Sequence, residues 1–492
     1  MDVLMQKFAV QLRSGSGYRQ VLRTSSAASL GLAIWPLRIK RVLFDTDVPV
    51  NTVSWPASLR QLSFVGAFNQ VIGRVLLPAY LQQLSFGDCF NKPIAGVVWS
   101  ASLQQLSFGS KFNQPVVGVS CPASLQQLSF GSKFNQPVVG VSWPACLQQL
   151  SFGYRLGPNS TSPSSESRGR HACNSYRLGP NNQPVVGVSC PASLQQLLFG
   201  SKFNQPVVGV SCPASLQQLS FGHEFNQPIA EVVWPVSLQQ LYCGDEFNQP
   251  VAELVWPTSL QQLSFGYMFN QPVVGGVWPA SLKQLSLLGY SFNHPIAKVL
   301  WPGPLQQLSF GHKFNQTIGE VVWPASLRQR EFGDELNQSV AEVVWPASLQ
   351  QLSLGYDFNQ PIAEVVWPAS LQQLRCGSEF NQPIAEIGRP VSLEQLSFWF
   401  GFNQPIVGVV WPVSLQQLRF GSEFNQPIAN VVWPASLQQL SFGSRFNQPI
   451  AEVVWPASLQ QLSFGSKFTL PVVGVLWPAG LRSATRGRQS LM

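Results

Sequence analysis

Phenylalanine recurs at a fixed interval of 22 residues along most of this chain. It stands at Phe68, Phe90, Phe112 and Phe134, and again at Phe203, Phe225, Phe247 and Phe269. One extra residue in "LSLLGYSFN" moves the next to Phe292, and the interval then holds to Phe468, with Leu336 in its place once. Around each anchor lies a near copy of "FNQPIAEVVWPASLQQLSFG", the form that begins at Phe446. About eighteen units carry the Leu-Gln-Gln-Leu core, the self-similarity that marks repeat architectures. Such a unit cannot bury its apolar face alone. It gains a core only by stacking on its neighbours, so the repeat overrides the several domains that 492 residues would otherwise suggest.

Within a unit, Leu459, Leu462 and Phe464 follow an L-x-x-L-x-F pattern. Leu462 and Phe464 alternate with Ser463 as a strand's two faces do. Gly465 ends the strand. Pro449 and Pro456 bracket the short apolar segment "IAEVVW", and two prolines in 22 residues leave no room for an ordinary α-helix. The spacing therefore predicts a predominantly β solenoid. It has one long parallel sheet and irregular or 3₁₀ return segments, with Trp35 and Trp477 opening degenerate caps.

The formal charge of +8 points first to nucleic acid or a membrane surface. Its distribution argues otherwise. Within the first 41 residues Lys7, Arg13, Arg19, Arg23, Arg38, Lys40 and Arg41 face only Asp2, a balance of +6, and Arg482, Arg486 and Arg488 add +3 near the other end. The array between is left near −1, which is no basic groove, so no nucleic-acid partner is expected. No run of 18 apolar residues is present, and none is read as a membrane span. The first residues, poor in acid and carrying Arg and Ser, resemble a transit peptide weakly. A disordered cytosolic leader is the plainer reading. The expected location is cytoplasmic, with organelle import second and secretion last.

The run "WPASLQQLSFGSRFNQPI" over 433–450 resembles the FNIP repeat, a 22-residue relative of the leucine-rich repeats whose pattern is LPxSLxxLxFGxxFNQPI. Trp stands here where Leu is common in that family, and Leu77-Pro78 keeps the Leu form. The resemblance covers roughly residues 51–480. It implies a right-handed solenoid with a parallel sheet on one face, an interaction role, and no catalytic activity.

The pattern fails between Phe134 and Phe203, where 154–181 reads "YRLGPNSTSPSSESRGRHACNSYRLGPN". Rich in Ser, Gly and Arg, it reads as a flexible loop bulging from the array. A dedicated binding loop and a stretch wrongly joined into the gene are the other two readings. The expected organisation is thus a disordered basic leader over 1–34, repeats with a degenerate cap over 35–153, the low-complexity loop over 154–181, repeats over 182–480, and a degenerate cap and tail over 481–492.

Residues with reactive chemistry do not assemble into a site. Of His171, His223, His294 and His312, only His223 and His312 share a slot, four units apart, or about 20 Å at the spacing of strands. Neither metal binding nor a cofactor is expected. The eight cysteines form no CxxC pair. Cys121, Cys190 and Cys212 fill the Trp slot, and Cys243 and Cys376 the strand Phe slot, as small core substitutions. Cys190 and Cys212 fall on adjacent coils within reach of a disulfide, although the unpaired remainder favours a reducing compartment. The sequons Asn315-Gln316-Thr317 and Asn337-Gln338-Ser339 lie in the FNQP slot. There an internal asparagine ladder, each amide satisfying backbone groups, is the better reading.

Variation between units is concentrated in a few slots. Two positions after the Phe-Gly turn vary freely, the first holding Ser110, His223, Asp245, Tyr267, Tyr290, Asp334, Tyr356 and Phe400. Residues that change this much are expected at the surface. A third slot is Gly early in the chain and acidic at Glu231, Glu253, Glu320, Glu342, Glu364, Glu386 and Glu452. Carboxylates about 5 Å apart repel by about 1 kcal/mol per pair in water, so this column is either a solvated face or the seat of a basic partner segment. His223, Asp245, Tyr267, Tyr290, Tyr356, Glu320, Glu342, Glu364 and Glu386 are the candidate partner-binding residues. The expected function is a monomeric, non-enzymatic scaffold that binds a protein or peptide, as yet unidentified, across its strand face and turn edge. A secreted or cell-surface recognition or adhesion protein is the alternative.

Overall fold

The computed structural model describes residues 20–22, 39–152, 190–487 and 489–491, apart from 135, 137, 139, 140, 208, 209 and 385–389. The leader beyond Gln20–Leu22, the interruption at 154–181 and Glu386 therefore lie outside the described residues. The chain divides into two units at Phe247 and Asn248. Each is a stack of coils, and in each the strands form a parallel ladder.

One coil shows why the sequence folds this way. In Gln461–Phe464, Leu462 and Phe464 point into the coil and Gln461 and Ser463 point out. Its neighbour Gln439–Ser441 pairs with it in register, Gln439 with Gln461 and Leu440 with Leu462. The coil from Gly443 to Leu459 turns three times, and each turn closes on one i→i+3 hydrogen bond. Phe446 N donates to Gly443 O (3.4 Å), Val453 N to Ile450 O (3.3 Å) and Leu459 N to Pro456 O (3.0 Å). Among the described residues there is no helix, and none is long and apolar enough to cross a membrane. Among the described residues the return segments are irregular, as the prolines require, and their turns stay single without propagating into 3₁₀ helix.

Side chains stack from coil to coil in files. Phe442 and Phe446 lie 4.2 Å apart within a coil, and Phe446 stacks on Phe468 of the next at 6.1 Å. Trp433 stacks on Trp455 at 6.3 Å. Polar files run beside them. The Oδ1 of Asn337 accepts from the backbone N–H of Asn359 (2.9 Å) and from Nε2 of Gln360 (3.0 Å). Asn315 does the same for Asn337 and Gln338. This is the expected ladder, although the amides are half-buried and not internal. Ser370 Oγ donates to Leu349 O of the preceding coil at 2.7 Å.

At most of the Phe-Gly turns the coils touch so closely that a Cβ does not fit, although Val65 and Trp399 hold the same slot in two coils. A Cβ added to Gly355 would stand 1.9 Å from the carbonyl oxygen of Gly333, and one added to Gly377 1.8 Å from that of Gly355. The extra residue of "LSLLGYSFN" is absorbed just here. Leu288 is displaced into solvent after the strand Gln284–Leu287, and the register recovers at once, Gln284 pairing with Gln307.

Three irregularities in the array are placed. Gln149–Phe152 pairs directly with Gln196–Leu198, so the ladder continues from one side of the interruption to the other. Gln20–Leu22, within the stretch read as leader, is paired parallel with Val42–Phe44. At the other end Ser483–Arg486 adds a last parallel strand, and Gln489–Ser490 folds back antiparallel on it, turning at Gly487 with φ of 58°.

Candidate interaction surfaces

The two variable positions after the Phe-Gly turn form an edge fixed by backbone bonds between coils. Tyr290 N donates to Tyr267 O (2.6 Å), Lys313 N to Tyr290 O (2.9 Å), Glu335 N to His312 O (2.9 Å) and Asp357 N to Asp334 O (2.7 Å). The side chains on this rail are therefore held in file. Tyr267, 54% exposed, stacks on Tyr290 with ring centroids 5.2 Å apart, and Tyr290 on the His312 imidazole at 4.7 Å and 9°. Lys313 Nζ lies 5.4 Å from the Tyr290 ring centre. His312 Nδ1 meets Asp334 Oδ2 at 2.6 Å and its Nε2 lies 3.7 Å from Glu335. The file thus runs from apolar rings to a paired imidazole and two carboxylates.

The expected site residues are placed unevenly. Tyr267 and Tyr290 come together, and His312, which sequence reasoning left out of the site, completes their stack. Its signal was present: it holds the same slot. Tyr356 is exposed on the same edge but outside the stack. His223 is exposed and lies 3.6 Å from Glu246, and Asp245 accepts a hydrogen bond from the Tyr242 hydroxyl. Glu320, Glu342 and Glu364 are exposed on the return side, away from the turn edge.

The outward face of the strands is a carpet of Gln and Ser, with two arginines that sequence reasoning passed over. Arg375 and Arg419 replace Ser in one register column, with Ser397 between them, and both are exposed. A shallow depression is lined by Gln373, Arg375, Ser397, Arg419 and Ser441. Arg330 is the other residue missed. It occupies the Leu slot of Gln329–Glu331 and is only 2% exposed. Its guanidinium sits 3.9 Å from the centre of the Phe310 ring and 3.8 Å from that of Phe332. Nη1 donates to Leu308 O and Glu331 O, each at 2.8 Å, while Nε and Nη2 have no partner. Burial pulls this guanidinium well below its usual pKa, against a smaller opposing pull from Glu331.

Two of the cysteines are core substitutions, while Cys121, Cys190 and Cys212 in the Trp slot are half-buried and Cys146 is exposed. Cys243 and Cys376 are buried, and burial pushes both thiols up. Cys121 and Cys190 are raised to about 11 by the same cause. Cys212 is raised to about 12 by burial and by its neighbour Cys190. Cys190 and Cys212 are both free thiols.

Comparison with known proteins agrees with these coils. The FNIP Repeat family matches at residues 90–133, 112–155, 225–268, 269–313, 402–444 and 433–467. The solved structure of CroV588, described as a novel circular LRR protein, is 35% identical. The match covers 94% of this chain and 74% of that one, with a TM-score of 0.72. The chain is an FNIP-repeat protein. The Toll–Spätzle complex of Drosophila, described as a molecular hub in development and innate immunity, shares the fold at 12% identity. That match covers 88% of this chain and 62% of that one, with a TM-score of 0.56. No curated protein matches the sequence.

Proposed function

We propose that this FNIP-repeat protein is a non-enzymatic scaffold of the cytoplasm that binds another protein or a peptide along its turn edge and strand face. The stacked file Tyr267–Tyr290–His312 carries the reading. Tyrosine is enriched at the energetic centres of interfaces. Here its rings are already stacked on one another, so less rotamer freedom is left to lose on binding. Repeat solenoids commonly use such continuous surfaces for recognition.

The test compares the full chain with a Tyr267→Ser, Tyr290→Ser, His312→Ser variant as bait in an extract of the cell it comes from. Serine occupies the same slot at Ser110, Ser422 and Ser444, so the variant keeps its coils. Species held by the parent and lost by the variant support the edge as the contact. Species held equally by both remove it.

A further inference from the structure

The return side carries a file of apolar side chains that the core does not use. In "EVVW" the first Val is buried and the second points out. Val255, Val277, Leu300, Val322, Val344 and Val366 occupy that second position on successive coils and are 74–85% exposed. The Trp that follows each one gives the spacing: Trp323, Trp345 and Trp367 stack at 6.4 and 6.3 Å. Six such side chains at that spacing expose about 500 Å² of continuous apolar surface, as much as the largest patch on a typical monomer.

The coil does not demand this. At Ser120 and Ser142 the same exposed slot is filled by serine. The turn before it closes in the same way, Val119 N to Val116 O at 3.2 Å against Val321 N to Ile318 O at 3.3 Å. An apolar residue there is a property of the surface and not a requirement of the fold.

Two residues before Val322, Val344 and Val366 stand Glu320, Glu342 and Glu364, all exposed. Each of these glutamates is the last residue of the turn that the buried valine closes, as Val321 N does on Ile318 O at 3.3 Å, and it and the second valine are exposed on either side of that buried residue, so a carboxylate file runs beside the apolar one for three coils. It ends where Lys298 takes the acidic slot beside Leu300. We propose that this double file is the docking surface for an amphipathic basic helix of a partner protein. A strand laid along the file offers one row of side chains to it. A helix offers two adjacent rows, and its i, i+4 row advances about 6.0 Å and turns only about 40° per step, so over three coils it keeps close to the 6.3–6.4 Å of the files. Leu or Val in one row meets the valines while Lys or Arg in the next meets the carboxylates. This surface is distinct from the turn edge.

The probe is a synthetic helical peptide of about five turns, with Leu at three successive i, i+4 positions in its middle, Lys at the three adjoining positions, and Ala elsewhere. A second peptide carries Glu for Lys. Binding to the full chain is read by fluorescence anisotropy at low and high salt. The Lys peptide is expected to bind at least about tenfold more tightly than the Glu peptide, with an advantage that salt reduces. Val322→Ser, Val344→Ser, Val366→Ser should weaken it about tenfold or more at either salt. Glu320→Gln, Glu342→Gln, Glu364→Gln should abolish the preference for Lys. The Tyr267→Ser, Tyr290→Ser, His312→Ser chain should bind as the parent does. No binding of the Lys peptide at millimolar concentration overturns the proposal, as does binding that the Val→Ser changes leave intact. Loss of binding in the turn-edge variant instead would assign the peptide to that edge and equally overturn it.

Discussion

Replacing Arg330 by leucine should strengthen the protein. The guanidinium lies in a slot where the neighbouring strands place Leu308 and Leu352, each nearly fully buried. Two nitrogens, Nε and Nη2, are buried without a partner, and each such group costs about 1–3 kcal/mol. Withdrawing the charge from water costs several more. Against this stand two hydrogen bonds from the charged group, about 1.5–3 kcal/mol each, and ring faces on either side worth about 2 kcal/mol or more each when desolvated. The terms nearly cancel, so the ordinary gain from a buried leucine decides the sign. We expect Arg330→Leu to stabilise the coil by about 1–4 kcal/mol, as buried ion replacements do elsewhere. Hydrogen exchange is the assay, because a stack of coils opens locally and a single global transition does not describe it. The amides of Gln350 and Gln351, bonded to Arg328 O at 2.9 and 3.0 Å, report on this coil. Their exchange should slow by roughly fivefold to nearly a thousandfold. A base whose folded pKa lies below its unfolded one is relieved as pH climbs through the folded value. The parent should therefore gain stability at alkaline pH relative to Arg330→Leu. Faster exchange in both Arg330→Leu and Arg330→Met would refute the reasoning, since it would mean that the ring and carbonyl contacts outweigh desolvation.

Other perturbations test other files. Asn337→Ala removes the acceptor of two coil-to-coil bonds and should cost about 1–3 kcal/mol, with Asn337→Asp recovering part of it in the same exchange experiment. Gly355→Ala places a methyl 1.9 Å from Gly333 O. It should part the coils at that turn, read as a new protease-sensitive site between Gly333 and Gly377. Cys121, Cys190 and Cys212 are raised to about 11, 11 and 12, so the folded chain holds their protons longer than the unfolded one. Their contribution is complete below about pH 9 and is lost as pH rises toward 11–12. Urea midpoints should therefore fall less steeply over that range in the Cys→Ala triple variant than in the parent.

The coil itself was legible because it is written many times over. Leu462 inward, Ser463 outward and the asparagine ladder all follow from period and slot. The turn stack was half legible: Tyr267 and Tyr290 stood out as variable, and His312 holds the same slot, but its stacking on Tyr290 is a ring contact that the pattern does not display. Arg330 was visible as an arginine in a leucine slot, yet its sandwich between Phe310 and Phe332 belongs to two different coils. The exposed valines were the hardest to see. Val344 differs from Val343 by one position in an apolar run, and only the direction of the chain at that point decides which of the two is buried.

Among the described residues, nearly every hydrogen bond between coils joins residues 21 to 23 positions apart, and the ring stacks join the same neighbours. Excising one copy from the gene in frame therefore rejoins two surfaces that already fit, and a tandem duplication does the same in reverse. Near-identical copies also invite misaligned recombination. Alleles of this gene should differ in length by whole multiples of 22 codons, each encoding a protein that folds, while the number of docking coils they offer is free to change.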